Sequence, residues 1–217
     1  LEHRVGLVPS SVKEFTSRGH EVFIESNAGD AINFTNADYE AVGAKILPTA
    51  KDVFDTAEMI IKVKEPQPQE CKMLREGQIL FTYLHLAADM KQAEGLIDSG
   101  CVAIAYETVT GRNGHGLPLL EPMSEIAGRL SVQVGAYYLQ KHMGGLGRLI
   151  GGVPGVKPGE VLIIGGGVSG FHATQMATGV AANVTILEKS NDRMRFLDDY
   201  FHGRANIVYS NIDTLEK

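Results

Sequence analysis

The stretch VLIIGGGVSG, Val161 to Gly170, constrains the fold of this chain more than any other. An aliphatic run stops on three consecutive glycines, and a fourth glycine follows three positions after them. Positions 165–170 fit the pattern G-x-G-x-x-G, with Gly165, Gly167 and Gly170 at the fixed places. Alone the pattern is weak, because glycine clusters also mark ordinary loops. Its context is what the pattern requires: a buried strand before it and a helix opening through it. A second strand, Asn183 to Glu188, ends in an acid 23 positions after Gly165, close to the roughly 20 of a dinucleotide-binding βαβ unit. Each glycine then has a task. Gly165 permits the tight turn, Gly167 lets backbone approach a pyrophosphate, and Gly170 lets helix and strand pack closely. The helix start offers unpaired N–H groups and a positive dipole end. Glu188 suits the adenosine ribose hydroxyls, and its charge repels a 2′-phosphate, which favours NAD over NADP. A glycine-rich turn without ligand and a flavin site are the competing readings. Flavin units usually stand near the start of a chain, whereas more than 100 residues precede this one.

Those preceding residues alternate strands with helices. Pro9 and Ser10 open a helix that Gly19 closes, and EVFIE follows as a strand. Thr35 and Asp38 form a capping pair before another helix. MIIKVK (Met59 to Lys64), ILFTYLH (Ile79 to His85) and VAIAYETV read as strands, with helices at Glu70 to Arg75 and in ADMKQAEGLIDSG. Short links between alternating elements predict parallel α/β sheets. A long helix, Ser124 to Lys141, is apolar on more than one face and reads as a connection between domains. A glycine-rich crossing follows it, then the second α/β unit with three strands. The expected fold is α/β: two Rossmann-like doubly wound domains joined by a long connecting helix, both incomplete. The expected boundaries are 1–122 for a substrate domain, and 123–217 for the connecting helix and first part of a dinucleotide domain.

Charge and composition remove other classes. A net charge of −6 argues against nucleic acid or an anionic membrane as partner. No apolar run approaches the roughly 18 residues of a membrane span, and no signal-peptide pattern opens the chain. The two cysteines, Cys71 and Cys101, lack CxxC spacing, so no metal site is expected, and a reduced, cytoplasmic protein is the default.

Polar residues at strand ends of the first domain stand where ligands of open α/β sheets bind. Lys64 ends MIIKVK, His85 ends ILFTYLH, and Arg4 precedes a short apolar run. A guanidinium and an ammonium can hold a small carboxylate. A histidine can pass a proton as hydride leaves or arrives. Taken singly each has an ordinary reading, since terminal lysines are usually just solvated and lone histidines usually structural.

Together with HRVGLVPSSVKEF, IKVKEP, GQILFTYLHLAAD, AIAYETV, LPLLEPMSEIAGRLSVQVGAYYL and GGVPGV, these residues give the chain a close resemblance to the alanine dehydrogenases. The likeness runs nearly end to end, and LFTYLHLAA and PMSEIAGR carry it far more specifically than the glycines. It implies that Arg4 and Lys64 bind the carboxylate and carbonyl end of pyruvate or alanine, and that His85 is the catalytic acid/base. Met123 and Ser124 would line the nicotinamide side, Val168 and Ser169 would offer backbone to the pyrophosphate, and Glu188, where that family more often has Asp, would take the ribose. Arg193 would lie near the adenosine and Ser210 near the adenine. The implied reaction is NAD-dependent, reversible oxidative deamination of L-alanine to pyruvate and ammonia by a homo-hexamer. The related nicotinamide nucleotide transhydrogenase domain is similar in architecture but lacks the lysine and histidine pairing, and is the alternative. The resemblance also marks the chain as a fragment. A leading strand is expected before it, and the rest of the cofactor domain and a catalytic aspartate beyond Lys217. Alone, the chain is expected to bind NAD weakly and not to turn over.

Overall fold

Local capping signals set where the helices begin. Thr35 and Asp38 exchange side-chain and backbone hydrogen bonds around one helix start, and Thr49 and Asp52 repeat the arrangement at the next. The computed structural model describes residues 2–216. The chain divides between Leu117 and Pro118 into two compact units. No helix among the described residues is long and apolar enough to cross a membrane.

The first unit runs α1 (Pro9–Thr16), β1 (Phe23–Glu25), α2 (Asn36–Glu40), β2 (Lys45–Leu47), α3 (Ala50–Thr56), β3 (Met59–Ile61), α4 (Pro68–Cys71), β4 (Ile79–Thr82), α5 (Met90–Ser99) and β5 (Val102–Ala105). All its strand pairs are parallel, as expected, but they form two sheets. β1 pairs with β2, and β3-β4-β5 make the other sheet, with Ile60 beside Leu80 and Leu80 beside Ala103. Phe54, Ile60, Leu74, Leu80, Leu84 and Leu96 build the core under the larger sheet. Val12, Tyr39 and Ala44 build a smaller one. β2 and α3 add to the expected elements, and Thr49-x-x-Asp52 is the capping signal that marks the start of α3. Three strands of the first unit also end earlier than expected. β3 stops at Ile61, β4 at Thr82 and β5 at Ala105, so Lys64 and His85 lie on the turns after the strands. Past the strand ends the two runs meet through a side chain as well as backbone: the Thr82 hydroxyl lies 3.0 and 2.9 Å from the Val63 and Lys64 carbonyls, and the Val63 carbonyl also accepts the Tyr83 N–H at 3.3 Å. His85 then turns into the left-handed region at φ 50°.

The second unit runs α6 (Glu121–Tyr138), β6 (Glu160–Ile164), α7 (Val168–Gly179), β7 (Asn183–Glu188), α8 (Asn191–Phe201), β8 (Asn206–Tyr209) and α9 (Ile212–Glu216). The strands pair in parallel in the order β6-β7-β8, one mononucleotide-binding half of a Rossmann-like sheet. Ile186, Leu197, Phe201, Ala177 and Val184 lie deepest in its hydrophobic core cluster. The long helix begins and ends three residues before its expected limits, because Pro122 suits the first helical turn. It packs against α7, and the contact is close because Gly128 has no side chain. A Cβ at Gly128 would stand 2.1 Å from the Ser169 carbonyl oxygen and 3.1 Å from the Ala173 nitrogen. Gly128→Ala is therefore expected to push α6 off α7 and cost about 1–3 kcal/mol, read as a lower urea midpoint at unchanged slope. An unchanged midpoint would show that the two helices are not held this closely. Ile126, Leu130, Val134, Tyr137 and Tyr138 stay exposed on α6, which accounts for its apolar character on more than one face.

Candidate active site and dinucleotide cradle

Of the two lysines in IKVKEP, one is used structurally. The Lys62 ammonium is paired with Glu70, while Lys64 is exposed and has no ion-pair partner among the described residues. Arg4 donates from Nε and Nη2 to the two oxygens of Glu2, at 2.9 and 2.8 Å. This fork orients the guanidinium and holds the Glu2 carboxyl down to about 2. Arg4 and Lys64 line one open cleft of about 1380 Å³, far larger than a small amino acid. The cation pair, not enclosure, would have to set where such a ligand sits.

His85 lies on the wall of a second depression, which shares Glu65 and Gln67 with the first. Tyr83 links the groups. Its ring stacks on His85 with centroids 5.9 Å apart and planes 15° apart. Burial pushes the Tyr83 hydroxyl up, the Arg4 charge opposes this, and the Glu107 charge adds to it. Tyr83 therefore lies within electrostatic reach of both Arg4 and Glu107 while its ring stacks on His85.

Glu107 is the residue the sequence reading missed. β4 and β5 run in register with Thr82 beside Ala105, so two residues further on, Leu84 comes opposite Glu107. The Glu107 carboxylate accepts the Leu84 N–H at 3.0 Å and the His85 N–H at 2.7 Å. Burial alone would raise its carboxyl, but the amides of His85, Glu107 itself and Leu84, and the charge on His85, bring it below its ordinary 4.5. A depressed carboxylate stabilises the fold at neutral pH and loses that contribution as pH falls through its folded value. An acid just past the strand beside the one that leads to His85 was the available signal.

In the second unit the three pattern glycines meet three different demands. Gly165 has φ 94°, a backbone that glycine adopts readily. A Cβ on Gly167 would meet nothing within 4 Å, so the chain there borders open space. A Cβ on Gly170 would stand 1.9 Å from the Gly165 carbonyl oxygen and 3.3 Å from Ile163 Cγ2, so only glycine permits α7 to lie this close to β6. No side chain caps α7 at Gly167. The first-turn N–H groups, including those of Val168 and Ser169, have no intrahelical acceptors. Donors at a helix N-terminus beside open space fit a diphosphate.

Glu188 Oε2 accepts the Gly166 N–H at 2.7 Å, and Oε1 accepts those of Lys189 and Ser190 at 2.7 and 2.8 Å. These amides, Ser190 first, hold its carboxyl below its ordinary value. A carboxylate has about four acceptor positions, so this bracing leaves capacity for a hydroxyl donor. Arg193 braces the same turn, donating from Nε to the Gly166 carbonyl at 2.6 Å while its guanidinium lies 4.5 Å from the Phe196 ring centroid. Ser124 in α6 accepts the Ser169 hydroxyl at its carbonyl, at 3.0 Å, with Met123 half-buried beside it. Ser210 is buried just past β8, its N–H on the Glu188 carbonyl. The structure thus gathers Ser124, Ser169, the glycines, Glu188, Arg193 and Ser210 around β6, β7 and the start of α7. Arg4, Lys64 and His85 belong to the first unit. Among the described residues, no cluster of three or more His, Cys, Asp or Glu side chains is disposed to hold a metal ion.

Parallel sheets and a glycine turn at a helix N-terminus define the chain as an α/β protein with a Rossmann-like second unit. Residues 1–127 match the family model "Alanine dehydrogenase/PNT, N-terminal domain", and residues 131–217 match "Alanine dehydrogenase/PNT, C-terminal domain". The chain belongs to the alanine dehydrogenase/PNT family. It is 51% identical over 216 residues to the alanine dehydrogenase of Halomonas elongata, covering 58% of that protein. It is 50% identical over 215 residues to the alanine dehydrogenase of Mycobacterium tuberculosis, again 58% of that protein. A solved L-alanine dehydrogenase superposes with a TM-score of 0.91 at 51% identity, over 99% of this chain and 59% of the other. A transhydrogenase from Sinorhizobium meliloti shares the fold, with a TM-score of 0.77 at 23% identity over 95% of this chain and 60% of the other. The chain spans about 58% of the length of these curated relatives.

Proposed function

We propose that the complete protein catalyses the reversible oxidative deamination of L-alanine to pyruvate and ammonia with NAD. The observation that carries the reading is the grouping of Arg4, Tyr83 and His85 in one unit, with Lys64 as an exposed ammonium, without an ion-pair partner among the described residues, on the Arg4 cleft. Family membership, with alanine dehydrogenases near 50% identity along the whole chain, supports it.

In this reading the Arg4 guanidinium and Lys64 ammonium clamp the substrate carboxylate and the neighbouring oxygen, opposing a negative charge with two positive ones. His85 takes a proton from the water that adds to the substrate imine carbon, and returns it to the departing nitrogen. In the second unit, Val168 and Ser169 present N–H groups at the start of α7, and Gly165, Gly167 and Gly170 keep that approach open. Met123 and Ser124 border the nicotinamide side, Glu188 accepts from the ribose, Arg193 lies by the adenosine, and Ser210 by the adenine. The nicotinamide, when bound, supplies the redox chemistry, taking two electrons and a hydrogen from the substrate Cα. Domains at 1–122 and 123–217, a homo-hexameric assembly and a cytoplasmic location complete the proposal, and sedimentation of the full-length protein reads the assembly.

The test is NADH formation by the full-length protein with L-alanine against serine, glycine and glutamate, with NADP as control. A clear preference for alanine and NAD is the expected result. No alanine-dependent rate, with hydride exchange between bound nucleotides instead, would move the assignment to a transhydrogenase-like domain. Glu188 supplies a second check. Glu188→Gln removes the charge and turns an amide N–H₂ toward one of the three backbone donors. NADH affinity should fall about tenfold, as expected for loss of about 1.4 kcal/mol, while NADPH affinity changes less. Equal losses for both nucleotides would remove Glu188 from the choice between them.

A further inference from the structure

We infer that Glu107 is a positioning residue that acts through His85, an inference that rests on His85 being the acid/base of the proposed reaction. His85 is a non-glycine residue at φ 50° and ψ 36°, a left-handed conformation in which its Cβ crowds its own backbone. Such a conformation persists only where surrounding structure over-determines it. Here Glu107 does so, with its Oε1 accepting the N–H groups of both Leu84 and His85 at 3.0 and 2.7 Å. Leu84 is buried and anchors the turn from the core side, and Gln92 donates from its side chain to the Leu84 carbonyl at 2.8 Å. The carboxylate is itself brought to the turn by the parallel register of β4 and β5 and by the 3₁₀ turn Tyr106–Thr108 that follows β5. His85 is exposed, so packing does not aim its ring. The backbone turn and the Tyr83 ring stacked on it do. Removing the Glu107 carboxylate leaves two amides without their acceptor and releases the turn, and the imidazole leaves its place beside Tyr83.

A double-mutant cycle in the full-length protein separates this role from a merely structural one. Glu107→Ala alone is expected to lower kcat for L-alanine about 10- to 100-fold, the scale of a misplaced catalytic group, with the Kd for NADH unchanged. In a His85→Ala background the same substitution should cost less than about threefold, because the group it positions is gone. Glu107→Gln keeps one oxygen for both amides and should retain more activity than Glu107→Ala. An equal loss in both backgrounds, a single-mutant loss under about threefold, or a Glu107→Gln enzyme as impaired as Glu107→Ala would each overturn the inference. If Glu107→Ala does not fold, Glu107→Asp, whose carboxylate is too short to span the gap, takes its place in the cycle under the same criteria. A His85→Ala enzyme with near-wild-type kcat would instead refute the acid/base reading beneath it.

Discussion

His85→Ala in the full-length protein should lower kcat for L-alanine about 10²- to 10⁴-fold, the usual contribution of a positioned acid/base. The Kd for NADH, measured by the change in nucleotide fluorescence on binding, should stay within about twofold, because the glycine turn and Glu188 belong to the other unit. The stability cost should be small. The side chain is exposed and its ring contact is a single stack on Tyr83, and alanine tolerates the left-handed backbone no worse than histidine by more than about 1 kcal/mol. A mutant with near-wild-type kcat would remove His85 from the chemistry. A mutant that lost NADH binding as well would show that the residue supports the fold.

Gly170→Ala should have a comparable effect by a different route. Its Cβ would meet the Gly165 carbonyl oxygen at 1.9 Å, and backbone cannot move aside as a side-chain tip can. Relief requires α7 to shift away from β6, at a cost of about 3 kcal/mol or more. The same shift carries the N–H groups of Val168 and Ser169 away from the proposed diphosphate position. Losing two charge-assisted hydrogen bonds at about 1.5–3 kcal/mol each predicts NADH affinity reduced about 100-fold or more. Gly167→Ala is the contrasting case, since a Cβ there meets nothing within 4 Å. It should leave Tm nearly unchanged and still impair NADH binding, by filling the space bordering the turn. If both variants lost the same Tm, or if Gly170→Ala bound NADH normally, the division of labour among the glycines would be wrong.

Much of this molecule is written in short-range signals. The strand, glycines, helix and distal acid between Val161 and Glu188 are all found where their spacing placed them, because each depends on neighbours in sequence. The capping pair at Thr35 and Asp38 is likewise a matter of three residues. What sequence reading lost were strand ends and short elements. MIIKVK and ILFTYLH look uniformly extended, and nothing within either run reports that Thr82 will serve the Val63 and Lys64 carbonyls from its side chain. β2 and α3 are three and seven residues long, too brief for periodicity to register.

By itself the sequence determined the class of fold, parallel α/β with a dinucleotide-type turn, and which residues carry reactive groups. Periodicity, glycine spacing and side-chain chemistry are properties of the chain that no packing alters. Only the tertiary structure decided which of those groups act on one another. It paired Lys62 with Glu70 and left Lys64 exposed on the cleft that Arg4 also lines. It bent Glu188 and Arg193 back onto Gly166. It brought Glu107 to His85 across 22 residues of chain. Such pairings follow from strand register and helix contact, which join residues distant in sequence, so no local pattern contains them.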